Sequence, residues 1–455
     1  MIAAPALADH ASYHATVVGS VATTDNVFAQ PRDNAEADIY TQVRPGMLFA
    51  YDSPRFIQEL SAEVEFLEYV AHSDKPSTTF RASYQTFITP GPRSEMTTAV
   101  DASTGQLNAM ATRTSPDQTG INVLPPGQID VRQGDATEYL SWQAGKETRL
   151  SENAFGHWTA TEDLDPMIKV TTEAYQAGMS LAADHSFEHD TLAVEAGASY
   201  VYLKREDPLG VQMGSRLDRQ INPRVVATWR HDFNKQWSFN ADGGGVYVHP
   251  VGTDPFNPMD KRISAMFPVF GGTVAYSELW GRATFSARHT VTPNLYIAEN
   301  TVDDNATLSV AMPLPWLDEY PHLRNPKLIG LGTLGADRTQ LIDPSMGDTV
   351  GKFYVAHVDV GVAYTPKPGQ TYSLRYQLLA QTGDNAATMA IAGFWSNTIF
   401  FTFSLRYPDR VAATVPRRNE SLRSDRKDLA PQGAEPVVPD PAESLPDSDD
   451  SGDDR

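Results

Sequence analysis

The 455-residue chain has no cysteine. Disulfides and thiolate metal sites are therefore excluded, and no redox compartment is implied. It has no run of about 18 apolar residues, so it encodes no bilayer-crossing helix. Positive charge is scarce: 36 Lys and Arg stand against 57 Asp and Glu, a formal net charge of −21. A chain of that sign repels phosphates, which sets nucleic acid aside as a partner. The local signatures of catalysis are missing too. There is no G-x-S-x-G, no H-E-x-x-H and no phosphate-binding glycine loop. The expectation is a protein that is not an enzyme and carries no cofactor and no metal. A mean hydropathy of −0.37 leaves one membrane class open. A spanning β-barrel alternates lipid-facing with water-facing residues, so each segment averages to mildly polar.

Alternation by two is what the chain has in place of these features. In VVATWRHDFNKQWSFNADGGGVYV, Val225, Ala227 and Trp229 share one face and lead to Phe233. Thr228, Arg230 and Asp232 fall on the other face. After Asn234-Lys235-Gln236 the pattern restarts at Trp237, with Ser238, Asn240 and Asp242 now on the polar side. The same sense returns elsewhere. Leu192, Val194, Ala196 and Ala198 alternate with Glu195, Gly197 and Ser199, and Phe401, Phe403 and Leu405 with Thr402, Ser404 and Arg406. Strict period two marks strands with two unlike faces.

Eighteen such segments are predicted. They lie at 13–22, 38–51, 56–71, 78–89, 95–102, 137–149, 155–161, 168–186, 191–204, 223–233, 237–249, 262–277, 282–290, 305–312, 328–342, 353–365, 371–381 and 397–407. Their connections alternate between tight turns, such as Pro90-Gly91-Pro92-Arg93, and long polar stretches, such as Thr23–Ala37 and Val251–Lys261. Pro313–Pro326 breaks the alternation, being long where a tight turn is due. A soluble sandwich also alternates. Two features favour a barrel in lipid: aromatics at strand ends beside the tight turns, and a last strand, NTIFFTFSLRY, that closes on an aromatic. The reading is an all-β transmembrane antiparallel barrel of about 18 strands over residues 9–407, in the bacterial outer membrane and in contact with its lipid. Residues 1–8, with Ala6-Leu7-Ala8 before Asp9, read as the remnant of an export signal. Residues 408–455, rich in Pro, Asp, Ser and Arg, read as a disordered periplasmic tail.

Period two then assigns the lumen. It places Arg81, Arg230, Asp232, Arg282, Arg288, Arg375, Arg406, Glu59, Glu63, Glu65, His357 and Asp359 inside, with Glu195 and Asp242. Either these charges pair and stiffen the wall, or they line a hydrated path for polar solutes. Phe233, Trp237, Tyr364 and Tyr372 form the expected aromatic girdle. The long segment Ser103–Ala136 is the candidate plug, the other reading being an external loop. His185 and His189 flank a turn and make a poor metal pair. Asp303-Asp304-Asn305 reads as a loop with at most a loose hold on Ca²⁺.

The stretch GSVATTDNVFAQPRDNAEADIYTQVRPGMLF resembles the start of a family of outer-membrane β-barrel porins. The likeness rests on Thr24, Asp25, Asn26, Val27 and Phe28 after a first strand, then Asp38, then Arg44-Pro45-Gly46. Members often accompany exopolysaccharide synthesis and export systems. The resemblance implies an exit port for a secreted polysaccharide, supplied by a periplasmic or inner-membrane export protein. A general or solute-uptake porin is the alternative, and a plugged, non-conducting surface-binding barrel is a third reading.

Overall fold

The computed structural model describes residues 10–53, 55–108, 128–163, 170–207, 214–259, 262–278, 281–295, 298–314, 327–343, 348–367, 369–384 and 393–408. The segment taken as an export signal, 1–8, and all but Pro408 of the segment taken as a tail, 408–455, lie outside the described residues. Eighteen strands follow one another: β1 (His10–Thr24), β2 (Asp38–Ser53), β3 (Phe56–Tyr69), β4 (Ser77–Gly91), β5 (Ser94–Asn108), β6 (Gln128–Gln143), β7 (Thr148–Asp163), β8 (Thr171–Ser186) and β9 (Asp190–Glu206). The second half holds β10 (Arg216–Asp232), β11 (Trp237–Pro250), β12 (Ala265–Glu278), β13 (Gly281–Asn294), β14 (Glu299–Pro313), β15 (Leu328–Asp343), β16 (Asp348–Lys367), β17 (Gln370–Asp384) and β18 (Phe394–Tyr407). A single short 3-10 turn, Arg32–Asn34, is the only helical element among the described residues.

Every strand pairs antiparallel with its neighbours in sequence, and β1 closes the circle on β18, from Ala15 opposite Tyr407 to Thr24 opposite Thr398. Closure removes both sheet edges. Backbone donors and acceptors are then satisfied between strands, the condition a sheet must meet to stand in lipid. The outward face carries the exposed apolar side chains: Val17 and Val21 on β1, Leu192 and Val194 on β9, Val225 and Trp229 on β10, Leu374 on β17, Ile399 and Phe401 on β18. Such exposure would be untenable in water. The molecule is a membrane-spanning barrel of the bacterial outer-membrane type.

Each predicted strand overlaps one observed strand, but the barrel wall is taller than the apolar pattern suggests. Ser103–Ala136 is barrel wall at both of its ends, not plug. Ser103–Asn108 belongs to β5 and Gln128–Ala136 to β6, paired from Ser103 opposite Gln133 to Asn108 opposite Gln128. The residues between, Pro125-Pro126-Gly127 among them, lie outside the described residues. Asp303-Asp304-Asn305 is strand as well, within β14, and adjacent residues there point to opposite faces. The connection between β13 and β14 is therefore short, and β10 begins at Arg216, not near Pro223. Most of the Pro313–Pro326 connection falls outside the described residues, but Leu314 N–H still bonds the Leu328 carbonyl at its foot.

Candidate functional site: the lumen and its mouth

The tight turns at one end are locally determined. In the Asn234–Trp237 turn the Asn234 side-chain oxygen accepts from the N–H groups of Gln236 (2.8 Å) and Trp237 (2.9 Å). That closes the turn and sets the register of the hairpin. Outward aromatics gather beside these turns. Trp237 meets Tyr276 at 4.7 Å between ring centres, Tyr372 meets Phe403 at 5.1 Å, and Phe233 packs on His231 at 4.5 Å. Tyr364 stands opposite Tyr372. The expected girdle did not include Tyr13, Phe49, Trp142 and Trp229, which share the outward face. The Trp229 indole donates to Asp190 (2.8 Å), with the His231 ring on the same carboxylate (2.9 Å).

Register puts the twelve predicted lumen residues on the face opposite the exposed apolar row. Glu59, Glu63 and Glu65 alternate with outward Leu60 and Phe66, and Arg230 and Asp232 with outward Trp229. Most are paired along the wall. Arg44 reaches Glu63 at 3.4 Å, Arg81 reaches Glu65 at 3.3 Å, Arg288 reaches Asp242 at 3.1 Å, and Arg230 meets Asp232 at 3.2 Å. Arg375 bonds Asp359, lying across Gly361, where a Cβ would collide with it. His357 stands 3.8 Å from Asp337. Arg282 and Arg406, near the tight turns, have exposed side chains that join no such pair. Further pairs that the pattern did not pick out belong to the same wall: Arg149 with Asp184 (2.8 Å) and His157 with Asp135 (2.6 Å). Along the described strands, inward-facing Asp and Glu outnumber inward-facing Arg.

At the other end, two connections turn into the barrel. The first follows β1. Asn26 Nδ2 donates to the Gln30 and Trp395 carbonyls (2.7 and 3.1 Å), while its Oδ1 accepts from Gln30 N–H (2.9 Å). Asn26 is fully buried, and Val27 and Phe28 are buried beside it. Phe28 packs on Tyr69 and His72, and Ala29 joins a cluster with Ile129 and Val131 of β6 and Val355, Leu379 and Phe394 of β16 to β18. Asp38 clamps the base. Its Oδ1 accepts from Ile39 N–H and Ala71 N–H, and its Oδ2 lies 2.7 Å from the His72 ring. Burial pushes the Asp38 carboxyl up, but these contacts outweigh it and leave the group below the usual aspartate range.

The second connection joins β13 to β14. Ala298 packs with Ala174 of β8 and Val201 and Leu203 of β9, and Leu295 lies against them. Beside it Glu299 takes Arg205 of β9 at 2.9 Å and Arg216 of β10 at 3.0 Å. Arg205 is 2% exposed. β9 and β14 are five steps apart around the sheet, so this contact crosses the interior. A third tie comes from the β11–β12 connection, where Arg262 bonds Asp218 of β10 at 2.6 Å. The mouth is thus narrowed by folded-in backbone held by buried, charge-assisted bonds. No metal cluster forms among the described residues. His185 lies near Glu147 and His189 near Glu188, each at 3.9 Å.

No protein-family model matches the sequence, and no curated protein does. Among solved structures, the outer membrane protein OpdK of Pseudomonas aeruginosa, crystallised with vanillate, aligns with a TM-score of 0.44 and 11% identity, covering 87% of this chain and 99% of that one. The alcaligin outer-membrane receptor FauA of Bordetella pertussis aligns with a TM-score of 0.43 and 9% identity, covering 87% and 76%. OccAB3 of Acinetobacter baumannii gives 0.43 and 10%, covering 87% and 99%. Likenesses of this size carry no function across, and the architecture rests on the strand pairing itself.

Proposed function

We propose that the chain is an outer-membrane channel through which small hydrophilic solutes diffuse, working in uptake rather than as a polymer exit. One observation carries this reading: the connections after β1 and β13 fold across the mouth and are tied to the far wall through Ala29, Ala298 and Glu299. A secreted polysaccharide needs an unobstructed bore. A mouth narrowed by buried backbone, above a wall of paired charges, instead selects by size and polarity. In this reading the twelve lumen residues line the path and the four girdle aromatics mark one lipid–water boundary. No observation supports a polysaccharide cargo or an export-protein partner.

The test is reconstitution of the purified full chain. Planar bilayers should show discrete current steps, and liposomes loaded with the protein should swell in monosaccharides much faster than in long oligosaccharides. Equal swelling in both would overturn the uptake reading in favour of an open exit. The absence of any current or swelling would favour a plugged binding barrel.

A further inference from the structure

The lipid-facing wall is not uniform. Around β9, β10 and β18 its outward residues are Leu192, Val194, Val225, Trp229 and Phe401, as lipid requires. Across β3 to β6 the outward face keeps apolar residues, among them Leu60, Phe66, Phe80, Val100 and Trp142, but one row across it is polar. Gln58, Thr86, Thr98 and Glu138 stand directly opposite one another, strand to strand, on the outward face. Glu152 follows on β7, outward between Leu150 and Ala154.

Both carboxylates fall inside the lipid band. On β6, Glu138 lies four residues from the girdle-level Trp142, about 13 Å along the strand. On β7, Glu152 lies six residues short of the outward Trp158, about 20 Å. Neither glutamate has a hydrogen-bond or ion-pair partner among the described residues, and neither does the Thr98 side chain. Tyr84 donates to Gln58 Oε1 (3.4 Å), which leaves the Gln58 amide nitrogen as a free outward donor. The row toward the mouth is made of small residues, Ala62, Ala82, Ala102 and Gly134 in register. Ionisable groups on a lipid face destabilise a barrel, while polar groups among small residues are how protein surfaces meet in a membrane.

We propose that the β4–β7 sector is the face on which a second copy of this chain docks within the membrane. The patch holds both halves of its own contact. Donors at Gln58 and Thr98 lie within four strands of acceptors at Glu138 and Glu152, and Thr98 is directly opposite Glu138. Two copies facing each other at equal depth bring Thr98 of each onto Glu138 of the other, the self-complementary pattern of a two-fold contact. The small-residue row lets the two walls approach closely.

The cysteine-free chain makes the test clean. Ala136→Cys places one thiol in the patch, and Leu374→Cys places one on the apolar side. Each full-length variant is treated with a short bis-maleimide in intact outer membranes. Ala136→Cys should give a band at twice the chain mass and Leu374→Cys none. Adding Glu138→Leu and Glu152→Leu should weaken that band about tenfold or more. No doubled band at Ala136→Cys, or an equal one at Leu374→Cys, overturns the proposal. So does a band whose mass is not a multiple of the chain, which assigns the face to a different protein. If the glutamate variant fails to keep its β circular-dichroism signal, the comparison of the two single cysteines still decides.

Discussion

Single side chains here are held by what faces them, and the outcome depends on sign and space. Asp38 is the first residue of a 16-residue strand, where crossing takes about 9–11, so it lies beyond the lipid. Its carboxyl sits below the ordinary aspartate range because N–H donors and the His72 ring favour the charged form. A group with a depressed pKa contributes stability above its unfolded value and loses it as the pH falls through the folded one. The thermal midpoint of the wild type should therefore exceed that of Asp38→Asn at pH 5 and above. The margin should close only in acid below the usual aspartate range; a margin that closed near pH 6 would contradict the assignment. Space decides at Gly335, where a Cβ would run into the His357 ring. Gly335→Ala should cost about 1–3 kcal/mol in detergent unfolding, and Gly335→Ala with His357→Ala should recover most of it.

Elements show where the pattern in the sequence runs out. The hairpin from Val225 to Val248 was legible because one face meets lipid and the other water, so hydropathy alternates. Ser103–Asn108 and Gln128–Ala136 stand higher in the wall and were misread as a plug. Outward residues there include Gln106, Asp130 and Arg132, while Ile129 and Val131 turn inward onto Ala29, so the alternation reverses the sense it has lower in the wall although the ladder continues. Water on both sides also hid the mouth end of β14. Asp303 turns inward onto Thr292, Thr301 and Thr339, while Asp304 turns outward to His289 and Arg338. A loop rich in acids and a strand with water on both sides read alike. The Glu299 tie belongs to this scale as well. Glu299→Gln leaves Arg205 buried without its charge partner, a change worth about 3–5 kcal/mol locally. The expected result is a looser β13–β14 connection and a larger, noisier single-channel conductance, and an unchanged current trace would show that this connection does not limit the path.

For the whole molecule, the balance of charge along the inner wall would set the selectivity of the proposed channel. Inward carboxylates exceed inward guanidinium groups, and Asp101 stands directly opposite Asp135 on neighbouring strands. A low-dielectric tube with that excess raises the local concentration of cations. Reversal potentials across a potassium chloride gradient should show cation preference, reduced as salt rises because screening shortens the reach of the field. Arg375→Ala should increase the preference, since Asp359 is then no longer neutralised. Anion preference in the wild type would count against the lumen as the conducting path.

The sequence by itself determined the class of fold, the strand count and the order of the strands. All of these follow from local alternation and the constraint that a sheet in lipid must close. It could not determine what enters the barrel. That Asn26 to Ala29 bury themselves inside, that Glu299 reaches Arg205, and that Glu138 aligns with Thr98 on the outer wall are contacts between residues far apart along the chain. Only closure of the circle brings them together, because a period of two names a face but not the partner on the far side of it.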